Sequence, residues 1–295
     1  MSRLFSLFLA LIIGASAALA TNRALLIGIG SYDRMATGWG PTHGDRDVDL
    51  LLPVLQKRGF TDIVTLKNER ARKSAVVQAF KDLADRCAAG DKVYIHFSGH
   101  GQLVVDANGD EGTPKPYDEA LVLYDAGRDS RKLGGAYDGR NHLIDDEIAP
   151  LLSAIKKKIG RKGEIFFAAD ACYSRGIQKD EITELDDTEL LNYIRGTDHP
   201  FYPPAGSKYL ASLPKPRPFP AGGKLYVATG AQGNERNLEY RAPDGKIYGS
   251  LSYYVDLLLR KDADFARWAR EFQSGAYTRT NIFPPFQHPS LTIIS

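Results

Sequence analysis

The segment KVYIHFSGHG, residues 92–101, is a largely apolar run that ends in serine, glycine and histidine. Runs of this kind are typical of strands buried in a parallel sheet. A second such segment, EIFFAADACYS at residues 164–174, carries a cysteine, Cys172, near its end. We therefore predict two strands that each deliver a chemically reactive side chain at the carboxyl end.

Strands and helices alternate along the rest of the chain. Further strands are predicted at 23–29, 63–66 and 225–228, and helices at 47–57, 73–87, 145–158 and 251–259. This alternation predicts an α/β fold, a three-layer sandwich with a mostly parallel central sheet and helices on both faces.

Two long stretches interrupt the alternation. Residues 106–142 are rich in aspartate and glycine, and residues 177–223 hold seven of the sixteen prolines. A structureless insertion of that size inside a compact domain is usually functional.

The composition describes a folded globular protein. The 295 residues are 43% hydrophobic and 25% charged, with a formal net charge of +2. Basic and acidic residues are interspersed, and the lysine run at 156–158 is interpreted as the solvated end of a predicted helix. No nucleic-acid partner is predicted.

Residues 1–20 have the pattern of a signal peptide. Arg3 precedes an apolar stretch at 4–13, and small residues follow up to Ala20. An uncleaved membrane anchor is the alternative, but the first predicted strand begins near Arg23 and leaves almost no linker. We expect an exported protein, periplasmic or secreted and without membrane association after cleavage, whose folded part is 21–295.

The two cysteines are expected to lie at opposite edges of the sheet. Cys87 precedes one strand and Cys172 follows another. A strand of five or six residues separates the edges by about 17–20 Å, whereas a disulfide requires Cα atoms within about 7 Å. Cys87 is therefore predicted to be a buried apolar residue, and Cys172 a thiol outside any disulfide.

The carboxyl edge of the sheet is the expected reactive site. If the strands before His100 and Cys172 are neighbours, the imidazole raises the reactive fraction of the thiol. The amides of Gly101 and Cys172 are then positioned to stabilise an oxyanion. His96 points to the other face of its strand and is predicted to be structural.

The segments HFSGHG (96–101) and DACYS (170–174) resemble the paired catalytic motifs of metacaspases and their bacterial relatives among the caspase-like peptidases. LIGI (26–29), the helix start at Asp47 and QHP (287–289) support the resemblance. It implies a caspase-like fold and a cysteine endopeptidase with His100 and Cys172 as its dyad. It also implies a large part at 21–176, a loop at 177–223 and a small part at 224–295.

The chain departs from these motifs at two positions. Arg175 stands where glycine is usual, and Tyr173 stands where histidine is frequent. The dyad spacing, 172 minus 100 or 72 residues, exceeds the roughly 50 of animal caspases. The insertion at 106–142 accounts for the excess.

Substrate preference follows from Asp170, two residues before the cysteine, and from Asp47, expected at the same edge. Two carboxylates favour a cationic side chain at P1, the residue before the cut bond. The resemblance also implies arginine or lysine there. The alternative is that Asp47 caps its own helix.

Calcium is the one cofactor predicted. The stretch DANGD at 106–110 begins like an EF-hand loop, but Glu111 occupies the required glycine position and Tyr117 that of the bidentate glutamate. It is not an EF-hand. The resemblance instead implies ligands at Asp118, Asp145, Asp146 and, displaced by about one residue, Asp180. Helix capping explains Asp145 as well.

Three functions fit these observations: a peptidase acting on proteins or peptides, a catalytically silent caspase-like scaffold, and another thiol enzyme such as an acyltransferase. Paired acids beside the nucleophile favour the peptidase. The proline-rich loop is expected to be exposed and mobile, and hence open to self-cleavage after Lys179, Arg195 or Lys208. An intact loop that shields the cleft is the alternative.

Overall fold

The structure of the protein, a computed structural model, describes residues 20–111, 116–173, 194–215, 217–233 and 235–295. Its strands are β1 (Asn22–Gly28), β2 (Phe60–Lys67), β3 (Lys92–Ser98), β4 (Gly101–Val105), β5 (Tyr117–Val122), β6 (His142–Ile144), β7 (Glu164–Asp170), β8 (Lys224–Thr229), β9 (Glu239–Arg241), β10 (Ile247–Gly249) and β11 (Ser290–Ile294). Its α-helices are α1 (Arg34–Thr37), α2 (Gly44–Lys57), α3 (Lys73–Arg86), α4 (Asp145–Ile159), α5 (Ser250–Lys261) and α6 (Phe265–Gln273).

Six of the described strands form the central sheet, in the order β11-β8-β7-β3-β1-β2. Neighbouring strands are parallel except at one edge, where β11 runs antiparallel to β8. Strands β3 and β7 are adjacent, and their register pairs Ser98 with Asp170. The two strands therefore end at the same height, and the residues that follow them lie side by side.

Alternate residues of each strand enter separate cores on the two faces of the sheet. Ile27 and Ile95 pack with residues of α3 and α4, such as Phe80. Tyr94 and Phe166 pack on the other face with residues of α2, α5 and α6, including Trp268. These two layers of helices confirm the predicted three-layer α/β sandwich.

The prediction that residues 106–142 lack regular structure is wrong. Strands β4, β5 and β6 form a three-stranded antiparallel sheet, and the apolar run of β5 buries Leu121 and Val122 in the core. Helix α2 also begins at Gly44, three residues before its predicted start, because its first turn carries no apolar side chain that would reveal it.

No disulfide joins Cys87 to Cys172, and both side chains are buried. None of the helices within the described ranges is long and apolar enough to span a membrane. Residues 1–19 of the predicted signal peptide lie outside the described residues.

His96 is fully buried on the sheet face that also carries Tyr94, on which its ring stacks. Its Nδ1 lies 2.8 Å from the Tyr94 hydroxyl and its Nε2 lies 3.0 Å from Ser252 Oγ. Burial lowers the pKa of His96 to about 4, although the charge of Asp170 acts in the opposite direction. The native state therefore holds a neutral imidazole.

The substitution His96→Gln should flatten part of the pH dependence of stability. Because unfolded histidine takes up a proton below about pH 6.5 and the folded one does not, wild type loses stability between pH 6.5 and 4. Relative to His96→Gln, its free energy of unfolding should fall by about 2 kcal/mol between pH 7 and pH 4.5. Denaturant titrations in a Cys172→Ala background measure this change, with the exposed His199→Gln as control. A difference in the free energy of unfolding between wild type and His96→Gln that does not vary with pH would contradict this prediction.

Candidate active site

The ends of β3 and β7 bring the two predicted catalytic residues to one edge of the sheet. Gly99 N donates to Asp170 O over 3.2 Å, which holds the two strand exits together. Gly101 packs directly against the nucleophile, since a Cβ atom there would lie 2.6 Å from Cys172 O. Only glycine allows so close an approach of the two backbones.

The imidazole of His100 is buried and held in one orientation. It stacks on Trp39, with ring centroids 4.9 Å apart, and its Nε2 lies 3.0 Å from Gly40 O. Because a carbonyl only accepts, Nε2 carries the proton and Nδ1 has the lone pair. Within the described residues this buried Nδ1 has no hydrogen-bond partner. Burial lowers the pKa of His100 to about 4, against the effect of Gly40, so the ring is neutral at pH 7.

The thiol of Cys172 is completely buried. Its Sγ accepts from Asn237 N over 3.4 Å and lies 3.7 Å from Glu235 O. Both contacts come from the segment before β9, which therefore forms one wall of the cleft. The thiol does not face open solvent in this state.

One carbonyl oxygen occupies the position between the two predicted oxyanion donors. Arg195 O accepts from Gly101 N over 3.0 Å and from Cys172 N over 2.9 Å. Two amides that converge on one oxygen form the arrangement that stabilises a tetrahedral intermediate. Here the oxygen that accepts from both amides belongs to Arg195 of the same chain.

The side chain of the same arginine lies among three buried carboxylates. Its Nη2 donates to Asp47 Oδ2 over 2.8 Å and to Glu239 Oε1 over 2.9 Å. Its Nη1 donates to Ser98 Oγ and to Asp170 O, and lies 3.7 Å from Asp170 Oδ1. The side chains of the arginine, Asp47 and Asp170 are wholly inaccessible to solvent, and that of Glu239 is 1% exposed.

Each carboxylate is also held by other polar groups. Asp47 accepts from Ser98 Oγ and from Gly249 N, and no bond to an amide of its own helix is found among the described residues. Asp170 accepts from Asn237 Nδ2 over 2.7 Å and from Ser252 Oγ over 2.6 Å. Burial raises the pKa of Asp47 to about 6, although the Arg195 charge opposes this.

Residues 194–201 run through the cleft beside β4, which they meet at Gly196 and Phe201, with bends at 198 and 199 between. Arg195 N donates to Asn237 O over 3.0 Å, and Gly196 pairs with Gly101 in a parallel bridge. Further along, Phe201 is fully buried. The expectation that loop 177–223 is exposed is wrong for Arg195 and Phe201, which are buried and hydrogen-bonded, whereas Asp198 and His199 are exposed as expected.

Several residues of this site were missed from the sequence, among them Glu239, Ser98 and Gly40. Glu239 lies on a three-residue strand without a recognisable motif, and Ser98 lies within the histidine motif, which does not indicate that its hydroxyl accepts from Arg195. Gly40 contributes a backbone carbonyl, which no side-chain pattern reveals. Only the assembled fold brings these groups to His100 and Cys172.

The predicted calcium ligands are only partly brought together. In the described part of the chain, one acidic group has ligand oxygens that all lie within 4.8 Å of one another: Asp106, Asp110 and Asp118. Asp145 and Asp146 do not belong to this group, while Asp106 and Asp110 come from the stretch rejected as an EF-hand. Asp180, Lys179 and Arg175 lie outside the described residues.

The acidic group has features that suit a cation. The Oδ1 atoms of Asp110 and Asp118 are buried without a hydrogen-bond partner among the described residues. Burial, reinforced by neighbouring carboxylates, raises the pKa of Asp118 to about 7. Burial also raises the pKa of Asp145 to about 8 and that of Asp146 to about 6.

Comparison with known proteins gives one family for the chain. The family model described as metacaspase, peptidase C14 domain, matches residues 22–179. Metacaspase-1B of Aspergillus terreus is 26% identical over 165 residues, which are 54% of this chain and 39% of the relative. The match thus spans about two fifths of the length of that relative.

Solved structures share the fold. A protein of Geobacter sulfurreducens, GSU0716, superimposes with a TM-score of 0.64 at 18% identity, over 93% of this chain and 94% of the other. Caspase-1 from Spodoptera frugiperda gives a TM-score of 0.52 at 13% identity, over 93% and 88% of the two chains. Identities this low speak for the fold alone.

Removing the arginine should leave a cavity that a small guanidinium compound fills. In a Cys172→Ala background, Arg195→Ala leaves three carboxylates without their cation and should cost about 3–5 kcal/mol of stability. Added agmatine should then raise the melting temperature of this variant and not that of its parent.

Arg140→Ala provides the matched control, since Arg140 is an exposed arginine whose ion-pair partner is Asp138. It should change stability by less than about 1 kcal/mol and show no response to agmatine. An agmatine response of equal size in both variants would count against the pocket.

Proposed function

The chain belongs to the metacaspase family of cysteine-type peptidases, and we propose that it cleaves peptide bonds after arginine or lysine with a Cys172–His100 dyad. The observation that carries this proposal is the position of Arg195. Its carbonyl oxygen accepts the two amides expected of an oxyanion hole while its guanidinium lies among carboxylates. It is arranged as a substrate P1 residue would be.

In the proposed mechanism, Nδ1 of His100 takes the proton of the Cys172 thiol. The thiolate attacks the P1 carbonyl carbon, and the oxygen becomes an oxyanion held by the amides of Gly101 and Cys172. His100 then protonates the departing amine, which leaves a thioester between the P1 residue and Cys172. Water, deprotonated by His100, hydrolyses the thioester to a carboxylic acid and restores the thiol.

The Gly40 carbonyl supports this mechanism by orienting the imidazole. It accepts the Nε2 proton, so that Nδ1 is the ring atom with a lone pair for the thiol. It also stabilises the imidazolium that forms when the thiol proton is transferred. Trp39, stacked on the ring, excludes water from that face.

The same geometry supports self-cleavage at the Arg195–Gly196 bond. Among the three predicted sites, Lys179 lies outside the described residues and Lys208 is exposed. Arg195 alone, within the described chain, lies in the carboxylate pocket. We therefore regard the intact chain as a latent form whose own segment 194–201 fills the cleft.

Calcium is proposed as a ligand of the acidic group. Asp106, Asp110 and Asp118 would hold it, since their oxygens suit a hard cation and two of those oxygens are otherwise unsatisfied. A bound cation would offset the repulsion among these carboxylates.

Export to the periplasm or the medium is likewise proposed, on the signal-peptide pattern of residues 1–20. The substrates proposed there are proteins or peptides with exposed basic residues. No nucleic-acid partner is proposed.

Incubation of active protein should convert it to two fragments by hydrolysis of the Arg195–Gly196 bond. Intact-mass measurement should find one fragment ending at Arg195 and another beginning at Gly196. Cys172→Ala and His100→Ala should remain uncut and should also lose peptidase activity, because each removes one member of the dyad.

Arg217→Gln is the matched control for Arg195→Gln, because Arg217 is an exposed basic residue of the same loop. Arg217→Gln protein should still be cut at the Arg195–Gly196 bond, and Arg195→Gln protein should not be cut there. A catalytically silent scaffold would show no cleavage of the chain or of basic peptides in any variant. Cleavage in pure Cys172→Ala protein would refute the dyad.

Calcium should raise the melting temperature of uncleaved Cys172→Ala protein, and Asp118→Asn should abolish that rise. Chelation should lower the peptidase rate of the wild-type chain in parallel. The control is Asp85→Asn, an exposed acid on α3, which should leave the calcium response intact. Equal melting temperatures with calcium and with chelator would remove the metal from the proposal.

A further inference from the structure

Resting on the proposed function, we infer that Glu239 makes the P1 pocket selective for arginine over lysine, with His43 as its positioning residue. The sequence pointed to two acids, Asp47 and Asp170, and an acidic pair accepts either basic side chain. The structure adds a third carboxylate, that of Glu239. With it in place, only a cation with two separate donor nitrogens can bond to every acceptor in the pocket.

The acceptors around the guanidinium lie in two separate places. Nη2 donates to Asp47 and Glu239, over 2.8 Å and 2.9 Å. Nη1 donates instead to Ser98 Oγ and to the Asp170 carbonyl. Each terminal nitrogen has two hydrogens, so the planar fork of arginine can donate to all four acceptors at once.

Lysine presents a single ammonium at the end of its stem. One nitrogen cannot occupy both the Nη1 and the Nη2 positions, so at least one set of acceptors loses its donor. In a pocket without solvent access, an unpaired carboxylate is costly. The penalty for lysine is therefore set by how firmly Glu239 is held in place.

Glu239 is held at both oxygens. His43 N donates to Oε1 over 2.8 Å, and His43 Nδ1 contacts Oε2. Burial alone would raise the pKa of Glu239, but the charge of Arg195 and the contacts with His43 lower it below its usual value. The carboxylate thus stays ionised and does not swing away to water when a poorer P1 residue enters.

The contribution of Asp170 is different. Its side-chain oxygens accept from Asn237, Ser252 N and Ser252 Oγ, and the nearer guanidinium nitrogen is 3.7 Å from Oδ1. It provides charge and braces the walls of the pocket. Asp47 and Glu239 are therefore the carboxylates that contact the cation, and only Glu239 comes from the β9 side of the cleft.

The experiment compares kcat/KM of self-processed protein for peptides that differ only at P1, which is arginine, lysine or citrulline. Wild type should prefer arginine to lysine by about 10-fold or more, and citrulline should be poor. Glu239→Gln should lower the arginine rate by about 10- to 100-fold, as expected for loss of a charged hydrogen bond, and should bring the two basic substrates close together.

Two further variants distinguish the positioning of Glu239 by His43 from a general effect on folding. His43→Asn should lower the arginine preference mainly through KM, because it loosens Glu239 without removing its charge. Asp244→Asn, an exposed acid on the β9–β10 turn, is the control and should keep the wild-type ratio. Equal arginine-to-lysine ratios in wild type and Glu239→Gln would overturn the inference and leave the proposed function standing.

A binding assay tests the pocket without catalysis. Cys172→Ala/Arg195→Ala protein should be stabilised more by agmatine, a guanidinium, than by cadaverine, the corresponding ammonium. Adding Glu239→Gln should abolish that difference. Should no basic peptide be cleaved at all, the proposed function fails, and this assay still decides the inference: equal stabilisation by both amines would overturn it.

Discussion

The buried Arg195 guanidinium is the interaction on which the carboxyl edge of the sheet depends. It ties together α2 through Asp47, the end of β3 through Ser98, the end of β7 through Asp170, and β9 through Glu239. Carboxylates this deeply buried are tolerated only when a cation and well-placed donors satisfy them. Without Arg195, this edge of the sheet would contain three buried carboxylates without the cation that offsets their charge.

The parallel register of β3 and β7 determines the remaining geometry. Because Ser98 pairs with Asp170, the backbones beyond them emerge together, and the amides of Gly101 and Cys172 point to one oxygen. A slip of one residue would turn every side chain of a strand to the opposite face. Packing of Tyr94 and Ile95 into different cores prevents that slip and so keeps the donors aligned.

The sequence predicted the sandwich and the strand ends because apolar runs and glycine turns are local signals. It could also place Asp47 and Asp170 at one edge, since parallel topology brings the carboxyl ends of strands together. It could not reveal Glu239, which follows an irregular segment and reaches the site only through tertiary packing. Nor could it show that Arg195 and Phe201 are buried, because nearby prolines predict a loop without indicating where that loop lies.

Phe201 would keep the segment that follows the Arg195–Gly196 bond in place after that bond is cut. Its ring is buried against Tyr137 and His142, and β4 bonds its backbone through Leu103 O and Val105 N. A chain end released at Gly196 would stay on a tether of five residues. Short tethers give effective concentrations of the order of millimolar. Incoming peptides would compete with this tethered segment for the cleft. The enzyme would therefore cleave fastest those substrates whose residues after the cut bond bind well enough to displace it.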